Sequence, residues 1–179
     1  MSNPLKTGCK MKKVHDQDEW PENSDWKILF DKAMKIAVEA HAGQRDRYDQ
    51  PYILHPIRVM QGVKHPLGKI CAILHDVVED SDWTLELLKK EGFPAMVLEA
   101  LDCLTKREGE EYQNYVRRAA QNPIARQVKL ADLKDNMTLQ RIDSLNPGDF
   151  KRLQKYHEAW KFIENLDKNQ QPAKEDNAS

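Results

Sequence analysis

The sequence predicts an all-α protein of about seven to nine helices folded around one core. Three observations carry this. Apolar residues recur at helical spacing along most of the chain, no segment shows convincing strand alternation, and Pro or Gly punctuates the chain at helix-length intervals. With 179 residues the chain has a fair length for a single domain. Lys and Arg total 28 against 29 Asp and Glu, so the strong basic excess of a nucleic-acid binder is missing. No apolar run approaches the roughly 18 residues of a membrane span, and the N-terminus lacks a signal-peptide core, which points to a cytoplasmic setting. Cys9, Cys71 and Cys103 form no CxxC pair, so neither a disulfide framework nor a thiolate zinc site is supported.

Residues 1–23 read as a polar, flexible leader, with Ser24 or Asp25 placed to cap the first helix. Trp26, Phe30, Ala33, Ala37 and His41 form one stripe of that helix, which stops at Gly43. AGQRDRYDQP is a charged loop, and PYIL after it is the only short β-like stretch. Pro56 suits the first turn of a second helix, HPIRVMQGV. The run ICAILHDVVED at 70–80 reads as a third. Thr84 caps TLELLKKEG, closed by Gly92. Pro94 opens PAMVLEALDCL, and EYQNYVRRAAQ comes after a charged loop. Pro123 starts IARQVKLADLKDNMTLQRI, and Pro147 precedes DFKRLQKYHEAWKFIENL. The domain is expected over 24–166, with a disordered polar tail over 167–179.

The run at 70–80 is the most informative stretch. On a continuous helix His75, Asp76, Glu79 and Asp80 share an arc of about 140°, opposite a face of aliphatics. His75 then faces Glu79 and Asp76 faces Asp80, with Ala72 keeping the polar sector open. Three acids and an imidazole on a mostly buried helix need a compensating cation, and a metal ion with a water to activate is the natural one. Two other segments supply further ligands: His55 directly before Pro56, and Asp132 in VKLADLKDN with Asn136 one turn later. Two imidazoles and two carboxylates suit Mn²⁺, Fe²⁺, Zn²⁺ or Mg²⁺-type chemistry. Ligand count alone does not choose among these metals; an octahedral ion such as Mn²⁺ keeps two positions for a nucleophile and a substrate oxygen. Arg45 and Arg47 lie in the loop running into PYILHP, at the mouth of such a site, where phosphate contact is expected. Lys129 is a further cationic candidate, and Tyr52 is either core or a platform for a base.

The H…HD…D order on successive helices resembles the HD-domain metal-dependent phosphohydrolases. PYILHP, LHDVVEDSDWTL and VKLADLKDN look like the hydrolase domain of the RelA/SpoT-type alarmone enzymes, more closely its free-standing small form, over roughly residues 25–165. The resemblance implies a compact HD-type helical fold, with His55, His75, Asp76 and Asp132 as metal ligands. It implies Glu79 and Asp80 as the acidic pair that orients the attacking water and handles its proton, and Asn136 as a lining of the nucleoside site. The implied reaction is hydrolysis of the 3′-pyrophosphate of ppGpp or pppGpp to GDP or GTP and pyrophosphate, without synthetase activity. The implied partner is a small nucleotide, not a nucleic acid or a membrane; oligomeric state is not indicated. Two departures stand out. Asp46 occupies a position, two after Gln44, that is commonly basic, and the familiar KLADRLHN string is KLADLKDN here. An HD-type phosphohydrolase acting on another nucleotide or phosphomonoester, or a non-catalytic nucleotide-binding module, are the alternative readings.

Overall fold

A computed structural model describes residues 25–142 and 144–170, with only the backbone described at 25 and 167–170. The expected leader, Cys9, Ser24 and all but the first four residues of the expected tail lie outside the described residues. Among the described residues the fold is all-α, with nine α-helices and one 3₁₀ turn. They are α1 (Asp25–Ala40), α2 (Leu54–Gln61), α3 (Pro66–Leu74), α4 (Val77–Asp80) and α5 (Leu85–Lys90). α6 (Ala95–Leu104), α7 (Tyr112–Gln121), α8 (Pro123–Asn136), the 3₁₀ turn Leu139–Arg141 and α9 (Pro147–Gln170) complete it. None of these helices is long and apolar enough to cross a membrane.

α3 is the centre of the structure. Its residues Ile70, Cys71, Ala72, Ile73 and Leu74 are all fully buried, because α1, α2, α6 and α8 pack around it. A helix this apolar is stable only when enclosed. A smaller core cluster holds α7, α8 and α9 together through Val116, Ala120, Leu133, Ala159 and Ile163. Cys71 and Cys103 are buried and pack as small apolar residues.

Local signals set most helix ends. The Thr84 hydroxyl accepts from Leu87 N at 3.2 Å to start α5, and Gly92 comes after it at φ +90°. Asn122 Oδ1 caps α8 by accepting from Ile124 N and Ala125 N, with Pro123 at the first helical position. PYIL forms no strand; Pro51 makes one isolated bridge to Arg45 and the chain turns directly into α2. α9 runs through Gln170, so the helix continues past residue 167, where the sequence places the start of the tail.

One element differs from the sequence expectation in a way that shapes the site. The run at 70–80 is two helices. The ladder of α3 stops at Leu74, where the His75 ring donates from Nδ1 to Ala72 O at 2.8 Å. Asp76 sits at φ −99°, ψ −8°, and its carbonyl accepts from Glu79 N and Asp80 N to start the single turn of α4. Ala72 therefore lies in the core, not in a polar sector, and His75 turns inward with only 4% exposure. We expect Thr84→Ala to cost about 1 kcal/mol of unfolding free energy, and Ile73→Ala about 2–5 kcal/mol. Urea unfolding monitored by circular dichroism measures both.

Candidate metal centre and active-site cleft

Of the described residues, six polar ones are buried: His41, His55, His75, Lys129, Asp132 and Asp149. Three of them meet at one point with Asp76. Pro56 and the first turn of α2 place His55, whose Nε2 lies 3.3 Å from Asp132 Oδ1 and 3.6 Å from Asp76 Oδ2. His75 Nε2 lies 3.0 Å from Asp76 Oδ2 and 3.9 Å from Asp132 Oδ1. Ligand-type atoms of His55, His75 and Asp76 lie within 4.8 Å of one another. Asp132 joins them through both imidazoles.

The outer contacts of each ring leave the inner nitrogens for this point. His75 Nδ1 donates to a carbonyl, so Nε2 carries the lone pair in the neutral ring; that atom is buried and has no aligned hydrogen-bond partner. His55 Nδ1 donates to Asp135 Oδ2 at 2.7 Å, which leaves Nε2 facing Asp132 and Asp76. Tyr52 donates its hydroxyl to Asp76 Oδ2 at 2.6 Å. Asp132 is gripped on both oxygens, by Lys129 Nζ at 2.8 Å on Oδ2 and by Asn136 Nδ2 at 2.5 Å on Oδ1. Two inward imidazole nitrogens and two oriented carboxylates fit a divalent cation.

The titration of these groups shows the same demand for positive charge. Burial works against a charged His55, but hydrogen bonds to Asp132 and Asp135 outweigh it and push the ring up to about 9. His75 is raised as well, burial being overcome by Asp76 and Asp132. Burial opposes ionisation of Asp76, yet the positive charge of the adjacent His75 ring holds it down to about 2. Asp132 is held well below the usual carboxylate range, against its burial, by Lys129 and the two histidines.

An open cleft of about 470 Å³ leads to this centre. Arg45, Arg47, Tyr52, His55, Asp76, Glu79, Lys129, Asp132 and Asn136, all expected from the sequence, line it. His75 lies behind the lining. Asp80 is not among the lining residues; its carbonyl accepts from Gln44 Nε2 at 2.9 Å, and Gln44 Oε1 in turn faces His41 Nδ1 at 2.8 Å. Glu79 is at the mouth, where its Oε1 accepts from Lys106 N at 2.5 Å. The loop carrying Lys106 is fastened by Arg118, which donates to Asp102 O, to Thr105 O and to Glu110.

Several of the residues expected to meet a substrate also make contacts within the protein. Lys129 is buried, pairing with Asp132 and lying 4.6 Å from the Tyr115 ring centroid. Asn136 also orients Asp132. Arg47 pairs with buried Asp149 of α9 at 2.6 Å, and Arg45 donates to Asp49 O. Asp46 spends Oδ1 on Tyr48 N and Gln50 N, both at 2.9 Å, so the carboxylate that departs from the family pattern shapes its own loop.

Sequence reasoning missed Asp135, Arg58 and Arg141. Arg58 is one turn after His55, and Asp135 is three residues after Asp132, so helical spacing held a signal for these two. It also missed Arg152, Lys155 and Tyr156, which α9 brings to the cleft from far along the chain. In all, eight Lys and Arg residues and five tyrosines line the cleft, against five carboxylates.

The raised His55 fixes a pH signature for the metal-free protein. Its contribution to stability is full below the ordinary imidazole value of 6.5 and disappears as pH rises through about 9. The lowered Asp76 contributes above 3.8 and is lost as pH falls through about 2. We expect the melting temperature of chelator-stripped protein to fall between pH 6.5 and 9. His55→Gln should flatten that fall.

No family model matches the chain. It is 33% identical over 128 residues to a Mycobacterium leprae protein named "Probable GTP pyrophosphokinase", an alignment covering 64% of this chain and 16% of that one. It is 32% identical over 119 residues to the guanosine-3′,5′-bis(diphosphate) 3′-pyrophosphohydrolase of Aquifex aeolicus, with 59% of this chain and 17% of the relative covered. The Haemophilus influenzae protein of the same name is 32% identical over 135 residues, with coverage of 67% and 20%. The chain thus spans only 16%, 17% and 20% of the length of these three relatives. A solved structure, described as a metazoan orthologue of SpoT that hydrolyses ppGpp, shares the fold with a TM-score of 0.62 at 24% identity. That likeness covers 75% of this chain and 84% of the other. Fold, motif positions and sequence likeness agree: over this span the chain resembles a RelA/SpoT-type hydrolase domain.

Proposed function

We propose that the protein hydrolyses the 3′-pyrophosphate of guanosine tetra- or pentaphosphate, giving GDP or GTP and pyrophosphate. The observation that carries this is the meeting of His55, His75, Asp76 and Asp132 at the floor of a cleft rimmed by cationic and tyrosine side chains. A substrate with two pyrophosphate groups and a purine needs both kinds of side chain. Guanidinium and ammonium groups neutralise and orient phosphate oxygens, and tyrosine rings stack on a base. The names of the pyrophosphohydrolase relatives support the same substrate.

His55, His75, Asp76 and Asp132 would hold a divalent cation, with Mn²⁺ the expected ion. Such an ion supplies Lewis-acid stabilisation of phosphoryl charge and makes water easier to deprotonate. Tyr52, Lys129 and Asn136 keep the two aspartates in place, so the site needs little rearrangement on loading. Glu79 is the proton acceptor. Burial lifts its carboxyl above the ordinary value against the lowering hydrogen bond from Lys106 N, and Asp76 adds to the rise. A raised carboxylate pKa brings a general base nearer to working pH. With Oε1 tied to the Lys106 amide, Oε2 is the atom that takes the proton. Asp80 supports this arrangement through its carbonyl, which holds Gln44. Arg45 and Arg47 contact substrate phosphate from the rim. Asp46 leaves the charge preference of the rim intact, because its carboxylate is turned onto its own loop. The activity would remove a stringent-response signal in the cytoplasm.

Incubation of Mn²⁺-loaded protein with ppGpp, with product identification, tests the proposal. GDP and pyrophosphate are expected. Glu79→Gln should lower kcat by about 10²–10⁴-fold while metal binding persists. Intact ppGpp, or turnover confined to nucleotides without a 3′-pyrophosphate, would overturn the substrate assignment.

A further inference from the structure

The two histidines of the centre are not equivalent. His75 Nδ1 is held by a neutral carbonyl, Ala72 O. His55 Nδ1 is held by a carboxylate, Asp135 Oδ2, at 2.7 Å. Asp135 is in turn clamped. Arg58 donates to both of its oxygens, from Nε at 2.7 Å and Nη2 at 3.2 Å. Arg141 Nη2 reaches Asp135 Oδ2 at 3.1 Å and its backbone carbonyl at 2.7 Å. This carboxylate comes with the departure of KLADLKDN from KLADRLHN, which sets an acid where the familiar string has a histidine. α8 then presents two acids three residues apart to opposite edges of one imidazole: Asp132 to Nε2 and Asp135 to Nδ1.

We propose that Asp135, fixed by Arg58 and Arg141, is a positioning residue that makes His55 the stronger imidazole donor of the centre. Its negative charge polarises the Nδ1–H bond and raises electron density at Nε2, and its hydrogen bond sets both tautomer and ring orientation. The arginine pair has two effects. It prevents Asp135 from turning into the centre as a competing ligand, and it lowers the cost of a largely buried negative charge. Asp135 is accordingly held well below the usual carboxylate range, burial being outweighed by His55 and Arg58. The inference rests on the metal-holding part of the function proposed above and is independent of the substrate.

Equilibrium competition between the protein and a chelator, with Mn²⁺ or Zn²⁺ alone as probe, tests it without reference to turnover. Asp135→Ala should weaken metal binding toward the upper end of about 10–100-fold, and Asp135→Asn, whose amide oxygen still accepts from Nδ1–H, toward the lower end. Arg141→Gln, which leaves the His55 contact and the Arg58 pair, should cost clearly less than either. A downfield imidazole N–H resonance in Zn²⁺-loaded protein should be present in the parent and absent from Asp135→Ala. The melting point of each metal-free variant checks its folding; if Asp135→Ala does not fold, the comparison of the parent with Asp135→Asn decides. Unchanged metal affinity in Asp135→Asn and Asp135→Ala overturns the inference, as does a loss in Arg141→Gln as large as that in Asp135→Ala. Tight, Asp135-dependent metal binding with no cleavage of ppGpp would refute the proposed substrate and leave this inference standing.

Discussion

Two carboxylates, Asp76 and Asp132, meet two buried imidazoles at a point with little solvent, and the rest of the structure is arranged around that meeting. In a low-dielectric setting such carboxylates need positive charge close by. Without a metal that charge comes from protons on His55 and His75 and from the ammonium of Lys129. A divalent cation held there would meet the same demand in place of the two ring protons, which would link its binding to pH. The cluster is thus an electrostatic constraint on the fold.

The scaffold meets the constraint by enclosing α3. A short helix with every side chain from Ile70 to Leu74 in the core is a rigid support, and His75 and Asp76 are the next two residues. Ending α3 at Leu74 is what turns one of these inward and the other into the cleft. α2 and α8 pack on the same helix and bring His55 and Asp132 from opposite sides of the sequence. α9 comes last in the chain and walls the cleft through Arg152, Lys155 and Tyr156, with Asp149 receiving Arg47 from the loop after α1. The cleft wall and the His–Asp cluster therefore have different structural origins. The first depends on long-range docking of α9, the second on the core.

Much of this was legible in the chain. Helix limits came from Pro, Gly and capping residues whose preferences are local: Thr84, Gly92 and Pro123 act where their chemistry suggests. The four inward-facing residues were legible because PYILHP, LHDVVED and VKLADLKDN are distinctive in order and spacing. The break between α3 and α4 was not, because apolar periodicity through 70–80 continues across it. It arises from one ring nitrogen taking one carbonyl, an outcome periodicity does not encode. The inward turns of Lys129 and Asn136 were hidden for a related reason. Both lie one helical turn from Asp132, and spacing alone leaves open whether such residues reach outward to substrate or sideways to a neighbour. Arg47 with Asp149, and the α9 wall, join residues about a hundred positions apart, and no local signal announces them.

The central claim is that His55, His75, Asp76 and Asp132 share one divalent cation, and anomalous diffraction from crystals grown with Mn²⁺ tests it most directly. The account predicts a single strong anomalous peak bounded by His55 Nε2, His75 Nε2, Asp76 Oδ2 and Asp132 Oδ1. A map with these side chains ordered but no peak among them, or with the ion bound elsewhere, would contradict it.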